Sequence, residues 1–194
     1  MNLIVNLDIF LTNLINNLFP HNQIFDYFFS FFSLQGNSIF IWLALIIFAL
    51  LLEERKNPGI QKRDILFVTT FLLCFLVTAF LINIILKNTF HRPRPSPYNA
   101  PNTTAPVKFG LAQCPNDYSF PSGHASTAFA SAVVISTFDK KRKWFYYLFA
   151  VLISLSRIYL GCHYFLDVVA GGIIGWSINK GIIFQLSKTL RGRL

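Results

Sequence analysis

Apolar residues fall in long blocks separated by short polar joints. Residues 3 to 19 carry a helical period: Leu3, Leu7, Phe10, Leu14 and Leu18 share one arc, and Asn2, Asn6, Asn13 and Asn17 the opposite one. This pattern predicts a helix lying in a membrane interface, or a poor first span. After Pro20-His21-Asn22 comes a Phe-rich run from Ile24 to Leu52, with Gly36 as a place to bend; it exceeds the roughly 20 apolar residues needed to cross a bilayer. Ile65 to Leu86 is a second span, and 123 to 138, 144 to 160 and 164 to 186 are three more. The expected architecture is an all-α integral membrane bundle of about six helices, five spans plus the amino-terminal helix, in one domain over residues 1–194. The first Lys or Arg is Arg55, so the basic start of a secretory signal is missing and the amino terminus is expected to be retained.

Composition agrees with lipid as the main solvent. The chain is 54% hydrophobic and 13% charged, with 22 Phe, too few charges to cover a water-soluble domain of 194 residues and too apolar for a disordered tail. A net charge of +9 suggests a polyanionic partner until the cations are placed. Arg55, Lys56, Lys62 and Arg63 lie in one joint, Lys140, Lys141, Arg142 and Lys143 in another, and Lys188, Arg191 and Arg193 in the tail, so 11 of 17 cations fall on one side of the predicted spans. That side reads as cytoplasmic, and the positive balance as topology and not nucleic-acid binding. The opposite face receives the Pro- and Asn-rich loop 87–122 and the joint around Gly161.

The span from 123 contains Ala125, Ser126, Ala128, Ala130, Ser131 and Ala132, and the last span Gly171, Gly172 and Gly175. Small residues let membrane helices approach closely, so these two are expected at the bundle centre and the Phe-rich spans against lipid.

Three polar clusters stand at the outer ends of spans: Lys87 with Arg94-Pro95, then Pro121-Ser122-Gly123-His124, then Ser156-Arg157 with His163 and Asp167. Lys87, Arg94 and Arg157 are cations at a membrane interface and call for an anion, which phosphate supplies. For Lys87 and Arg94 alone, snorkelling to headgroups explains as much. Arg157, inside ISLSRIYLG, snorkels less easily. His91 and Arg92 fit no slot and read as solvated loop residues. Pro121 to His124 opens a helix, so the amides of Ser122 and Gly123 can cradle an anion, or form an ordinary Pro-Ser cap. His163 and Asp167, four apart, share a helix face; a carboxylate on one ring nitrogen leaves the other free to attack or take a proton. Asp167 needs a partner, which His163 or Arg157 is expected to supply.

Taken together, K-x6-R-P at Lys87 to Pro95, P-S-G-H at 121 to 124 and S-R-x5-H-x3-D at Ser156 to Asp167 resemble the three-part signature of the type 2 phosphatidic acid phosphatase superfamily. Eleven fixed positions match in order across 87–167. The resemblance is to the membrane lipid phosphatase branch, bacterial undecaprenyl-diphosphate phosphatases in particular, and not to the soluble vanadium haloperoxidases. It implies His163 as nucleophile, Asp167 as its orienter and His124 as general acid. It also implies phosphate binding by Lys87, Arg94, Arg157, Ser122 and the Gly123 amide. The implied substrate is a lipid phosphate or diphosphate, undecaprenyl diphosphate first, with phosphatidylglycerophosphate, phosphatidic acid and lipid A phosphates as alternatives, as is transfer to another lipid. The implied place is a bacterial cytoplasmic membrane with the site on the outer face. No metal or cofactor is implied, since the cations take the charge-neutralising role and the outer loops lack a carboxylate cluster. An anionic-lipid carrier would explain the cations but not the two His and Asp167. Of three cysteines, Cys114 and Cys162 map to the outer face, either bridged or as two thiols.

Overall fold

The computed structural model describes residues 3–33, 37–55, 57–95 and 114–191. These form α1 (Leu3–Leu18), α2 (Gln23–Ser33), α3 (Asn37–Glu54) and α4 (Lys62–Phe80), which runs through a π-helical turn (Leu81–Leu86) into the short α5 (Lys87–Phe90). Then come α6 (Gly123–Phe138), α7 (Lys143–Tyr159) and α8 (Phe165–Arg191). No strand occurs among the described residues, and the chain is an all-α membrane protein. Asn37–Glu54, Lys62–Phe90 and Phe165–Lys188 are each long and apolar enough to cross a bilayer. α6 and α7, with 16 and 17 residues, reach only about 24–26 Å at 1.5 Å per residue.

Local sequence sets the boundaries. Asn22 Oδ1 accepts from Phe25 N at 3.0 Å and opens α2. Asp64 Oδ2 accepts from Gln61 N at 3.0 Å at the start of α4. α5 stops at His91, whose left-handed φ of 49° lets its N–H return to Lys87 O at 3.1 Å. Gly161, φ 68°, makes the turn between α7 and α8 that a β-carbon would strain.

One expectation is corrected here. The Phe-rich run 24–52 is not one bent span but two helices, α2 and α3, and α2's 11 residues cover only about 16 Å. The anticipated bend at Gly36 lies outside the described residues.

α6 sits inside the bundle against α4, α7 and α8. Its Ala125, Ser126, Ala128, Ala130, Ser131 and Ala132 are all buried. The approach to α8 is close enough that a β-carbon on Gly171 would lie 2.6 Å from Ser122 O, and one on Gly175 2.1 Å from Ser126 O. Asn179 adds polar adhesion, donating to Thr78 Oγ1 of α4 at 2.8 Å. Phe67, Phe71, Ile135, Tyr146 and Ile153 fill the core below. Phe40, Phe48, Phe80 and Phe184 point outward, where lipid is their solvent.

The two ends differ in chemistry. Arg63 donates to Glu53 Oε1 at 2.8 Å and to Phe138 O at 2.9 Å, joining the two basic joints at one end. α5, the starts of α6 and α8 and the finish of α7 share the other. α1 joins that end, burying only Asp8 and Thr12 while Leu3, Leu7, Phe10, Leu14 and Leu18 stay exposed. A Cys114–Cys162 disulfide, Cα–Cα 5.3 Å, ties the segment before α6 to the α7–α8 joint.

Gly175→Ala is expected to lower the thermal midpoint in detergent, since overpacking against fixed backbone costs about 1–3 kcal/mol. Gly181→Ala, whose new methyl meets nothing within 4 Å, is expected to leave it unchanged or higher, Ala being favoured over Gly in helices. Alkylation without reductant followed by mass spectrometry is expected to leave Cys114 and Cys162 unlabelled; labelling of both would remove the bridge.

Candidate active site

Four helix ends and the loop before α6 build one polar pocket in an otherwise apolar bundle. Lys87, at the first position of α5 and only 4% exposed, donates from Nζ to Asp117 Oδ2 at 2.5 Å. Arg94 turns its guanidinium to the same residue, donating from Nη2 to Asp117 Oδ1 and from Nε to Asp117 O at 2.9 Å. Its Nη1 donates to Cys162 O at 2.7 Å and faces His163 Nε2 at 3.0 Å. Arg157 enters from the last turn of α7, 1% exposed, with Nη1 donating to Ser33 O and Oγ of α2. Its Nε and Nη2 are buried and find no hydrogen-bond partner among the described residues. Burying a cation with two donors unspent is costly, so the arrangement is suited to an incoming anion.

His163 stands in the joint before α8. Because Arg94 Nη1 is a donor, Nε2 of the imidazole is the accepting nitrogen and the ring proton sits on Nδ1. Nδ1 faces Asp167 Oδ2 at 3.6 Å, too far for a hydrogen bond. His124, in the first turn of α6, lies within electrostatic reach of Arg157, His163, Lys87 and Arg94. The expected site residues Lys87, Arg94, Ser122, Gly123, His124, Arg157, His163 and Asp167 are therefore brought to one end of the bundle.

Three details depart from expectation. Arg92 is not a solvated loop residue: it donates from Nη1 to Asp167 Oδ1 at 2.7 Å and from Nη2 to Asp8 Oδ2 at 2.6 Å, with its guanidinium 4.2 Å over the Tyr164 ring. The cation hydrogen-bonded to Asp167 is thus Arg92, not Arg157, with His163 further off. The Ser122 amide is not free for an anion, because it donates to Asp167 O at 3.0 Å. Ser122 Oγ accepts weakly from Ala125 N at 3.5 Å as the α6 cap, which leaves its hydroxyl proton available. His91 is exposed, as expected.

Asp8, Thr12 and Asp117 were not singled out by sequence. Asp117 sits in a loop with no periodicity to mark it. Asp8 and Thr12, four apart on one face of a Leu- and Asn-rich helix, did leave a signal: an acid on a helix lying in lipid needs a buried partner.

The sequence matches the PAP2 superfamily over residues 67–190. The chain belongs to the PAP2 superfamily. Among its relatives, an undecaprenyl-diphosphatase of Sulfolobus acidocaldarius is 31% identical over 143 residues, 72% of this chain and 61% of that protein's length. A lipid A 4'-phosphatase of Bacteroides thetaiotaomicron is 30% identical over 178 residues, 90% of this chain and 75% of the relative. The crystal structure of Aquifex aeolicus LpxE superposes with a TM-score of 0.62 at 28% identity, covering 91% of this chain and 93% of the other. All three signature segments of this PAP2 chain fall inside the matched region.

In the pocket, His163 and Asp117 lie outside the spans and are electrostatically displaced. Burial first, then the charges of Arg157, Arg94 and Lys87, hold the His163 imidazole well below its ordinary pKa, so it stays neutral. Burial pushes the Asp117 carboxyl up, but the hydrogen bonds from Lys87 and Arg94 outweigh it and hold it below its ordinary value. The unfolded chain binds a proton on His163 near pH 6.5, whereas the folded chain refuses it until lower pH, so acid favours unfolding in that window. The thermal midpoint in detergent is expected to fall as pH drops below about 6.5, with a shallower slope for His163→Gln. The contribution from Asp117 is present above about pH 4 and is lost only below it.

Proposed function

We propose that this chain hydrolyses phosphate from a lipid headgroup through a phosphohistidine on His163. The observation that carries the reading is a bound anion of the protein's own. The Asp117 carboxylate bridges Lys87 and Arg94 directly beside His163 Nε2, and Arg157, with two unspent donors, lies within electrostatic reach of Arg94 and Asp117. A phosphate has the charge and geometry to replace that carboxylate.

In this mechanism the headgroup displaces Asp117 and takes its oxygens to Lys87, Arg94, Arg157, the Ser122 hydroxyl and the Gly123 amide at the start of α6. Transfer of Arg94 Nη1 to a phosphate oxygen frees the Nε2 lone pair. Nε2 then forms a bond to phosphorus as the bond to the departing oxygen breaks, and His124 gives that oxygen its proton. Water next attacks phosphorus, passing a proton to His124, and the P–N bond breaks to regenerate His163. Asp167 stabilises the positive ring while the adduct lasts. General acid–base help of this kind is worth typically ~10²–10⁴-fold, and the cation clamp the larger share.

The substrate is a lipid because the site stands at the end of an apolar bundle, where a tail can stay in the bilayer. Undecaprenyl diphosphate is the leading substrate, supported by the Sulfolobus relative. Lipid A phosphate is the second, supported by the Bacteroides relative that aligns with 90% of this chain. Both readings place the pocket on the face opposite the basic joints, outside a cytoplasmic membrane of bacterial type.

Phosphate release by purified protein from undecaprenyl diphosphate, lipid A, phosphatidylglycerophosphate and phosphatidic acid tests the reading and ranks the substrates. His163→Ala is expected to fall to background; persistent turnover would refute the nucleophile, and lipid binding without release from any substrate would favour a carrier. Asp117→Asn is expected to strengthen inhibition by inorganic phosphate by roughly three- to tenfold, the scale of one or two partly exposed ion pairs. Unchanged or weaker inhibition would remove Asp117 as the occupant that phosphate displaces.

A further inference from the structure

We infer that Arg92, backed by Asp8 of α1, is a positioning device that fixes the Asp167–His163 pair; the inference rests on His163 acting as the nucleophile. Asp8 and Asp167 are both buried, 1% and 0% exposed. Two carboxylates at that depth require compensation. Arg92 lies between them and uses the two arms of one guanidinium, Nη1 on Asp167 Oδ1 at 2.7 Å and Nη2 on Asp8 Oδ2 at 2.6 Å. A planar fork can hold two acids at a fixed spacing, which an ammonium point charge cannot.

The same two residues of α1 also close the start of α8. The first amides of a helix have no partner within it. Here Leu166 N donates to Asp8 Oδ1 at 2.8 Å, Phe165 N to Thr12 Oγ1 at 2.9 Å, and Tyr164 N to Asp167 Oδ2 at 3.0 Å. α1 therefore acts as a capping element supplied from more than 150 residues away in sequence, and the helix dipole favours both acids at that position. The outcome is a carboxylate with both oxygens constrained. Oδ1 is held by Arg92, while Oδ2 is held by the Tyr164 amide and turned toward His163 Nδ1 at 3.6 Å. Among the described residues Arg92 donates to no member of the phosphate pocket other than Asp167, so its influence on the reaction runs through the orienting acid and not through substrate binding.

The experiment compares Arg92→Ala, Arg92→Lys, Asp8→Asn and His163→Ala with the unaltered protein in detergent, using short-chain phosphatidic acid and undecaprenyl diphosphate as probes. It reads kcat, KM, inhibition by orthovanadate and the thermal midpoint. Arg92→Ala is expected to lower kcat by about 10–100-fold, the range seen when a group orienting a site residue is lost. KM and vanadate inhibition are expected to stay within about twofold, since uniform binding is untouched. Arg92→Lys is expected not to restore kcat, whereas added guanidinium ion is expected to restore part of it in Arg92→Ala. Asp8→Asn keeps an oxygen for Leu166 N and removes only the charge facing Arg92; it is expected to fold and to lower kcat in the same direction by a smaller factor. A raised KM or weakened vanadate inhibition with kcat retained would make Arg92 a phosphate ligand and overturn the inference. A lowered midpoint with unchanged kcat in both Arg92→Ala and Asp8→Asn would make the network structural only and overturn it too. Turnover that survives in His163→Ala removes the nucleophile itself, and so separates failure of the parent reading from failure of this one.

Discussion

Charge compensation inside an apolar bundle is the constraint on which this structure depends. Lys87, Arg157, Asp8 and Asp167 are each nearly or completely buried, and each would be prohibitive alone in a lipid-dissolved protein. Lys87, Asp8 and Asp167 are tolerable because they are shared out, whereas Arg157 keeps two donors unspent. One guanidinium, Arg92, serves two acids, and one carboxylate, Asp117, serves two cations. These two three-membered clusters flank His163, so the imidazole is fixed from both sides. Arg94 faces Nε2 from the anion-binding side, and the Arg92-held carboxylate of Asp167 faces Nδ1.

That charge arrangement requires backbone precision, which the small residues supply. Gly171 and Gly175 let α8 meet the α6 backbone with no intervening side chain. That contact delivers the Ser122 amide to the Asp167 carbonyl at 3.0 Å, locking the start of α6, which carries His124, to the start of α8, which carries Asp167. Packing and chemistry are thus one feature: the helices that approach most closely are those whose ends hold the proposed acid and the proposed orienting group. The disulfide performs the same task for the loop, coupling the segment that carries Asp117 to the joint that carries His163.

Much of this was legible in sequence because helices in lipid are written in long apolar blocks and their functional residues interrupt them. The limits of α6 were read to the residue, and those of α7 and the start of α8 to within one. The convergence of Lys87, Arg94, His124, Arg157, His163 and Asp167 followed from their places at span ends. What escaped had no block to interrupt. Arg92 lies in an extended segment after α5, where nothing periodic tells which way a side chain turns, so a solvated reading was natural. Asp8 is hidden differently: the amphipathic contrast of α1 lies between Leu and Asn, and the inward-facing residues, Asp8 and Thr12, belong to neither set. The split of 24–52 into α2 and α3 does leave a signal, the polar stretch Gln35-Gly36-Asn37-Ser38 between two apolar halves.

The shortness of α6 and α7 gives the site its depth. Sixteen and seventeen residues make helices of about 24–26 Å, against a hydrocarbon core of about 30 Å. If Lys140, Lys141, Arg142 and Lys143 sit at one headgroup layer, the other ends of these helices would reach only to about the opposite one. Arg157, the Ser122 cap and His163 stand at those ends. The cations are then too deep for ready exchange with bulk water and shallow enough for a headgroup to reach. α1 lies at this same end with Leu and Phe turned outward and Asp8 inward. Its Asp8 and Thr12 reach Arg92 and the start of α8. A site set at such a depth would favour the proposed lipid-linked phosphate over one that arrives from water, because a tethered headgroup approaches without drawing its whole hydration shell into the bilayer.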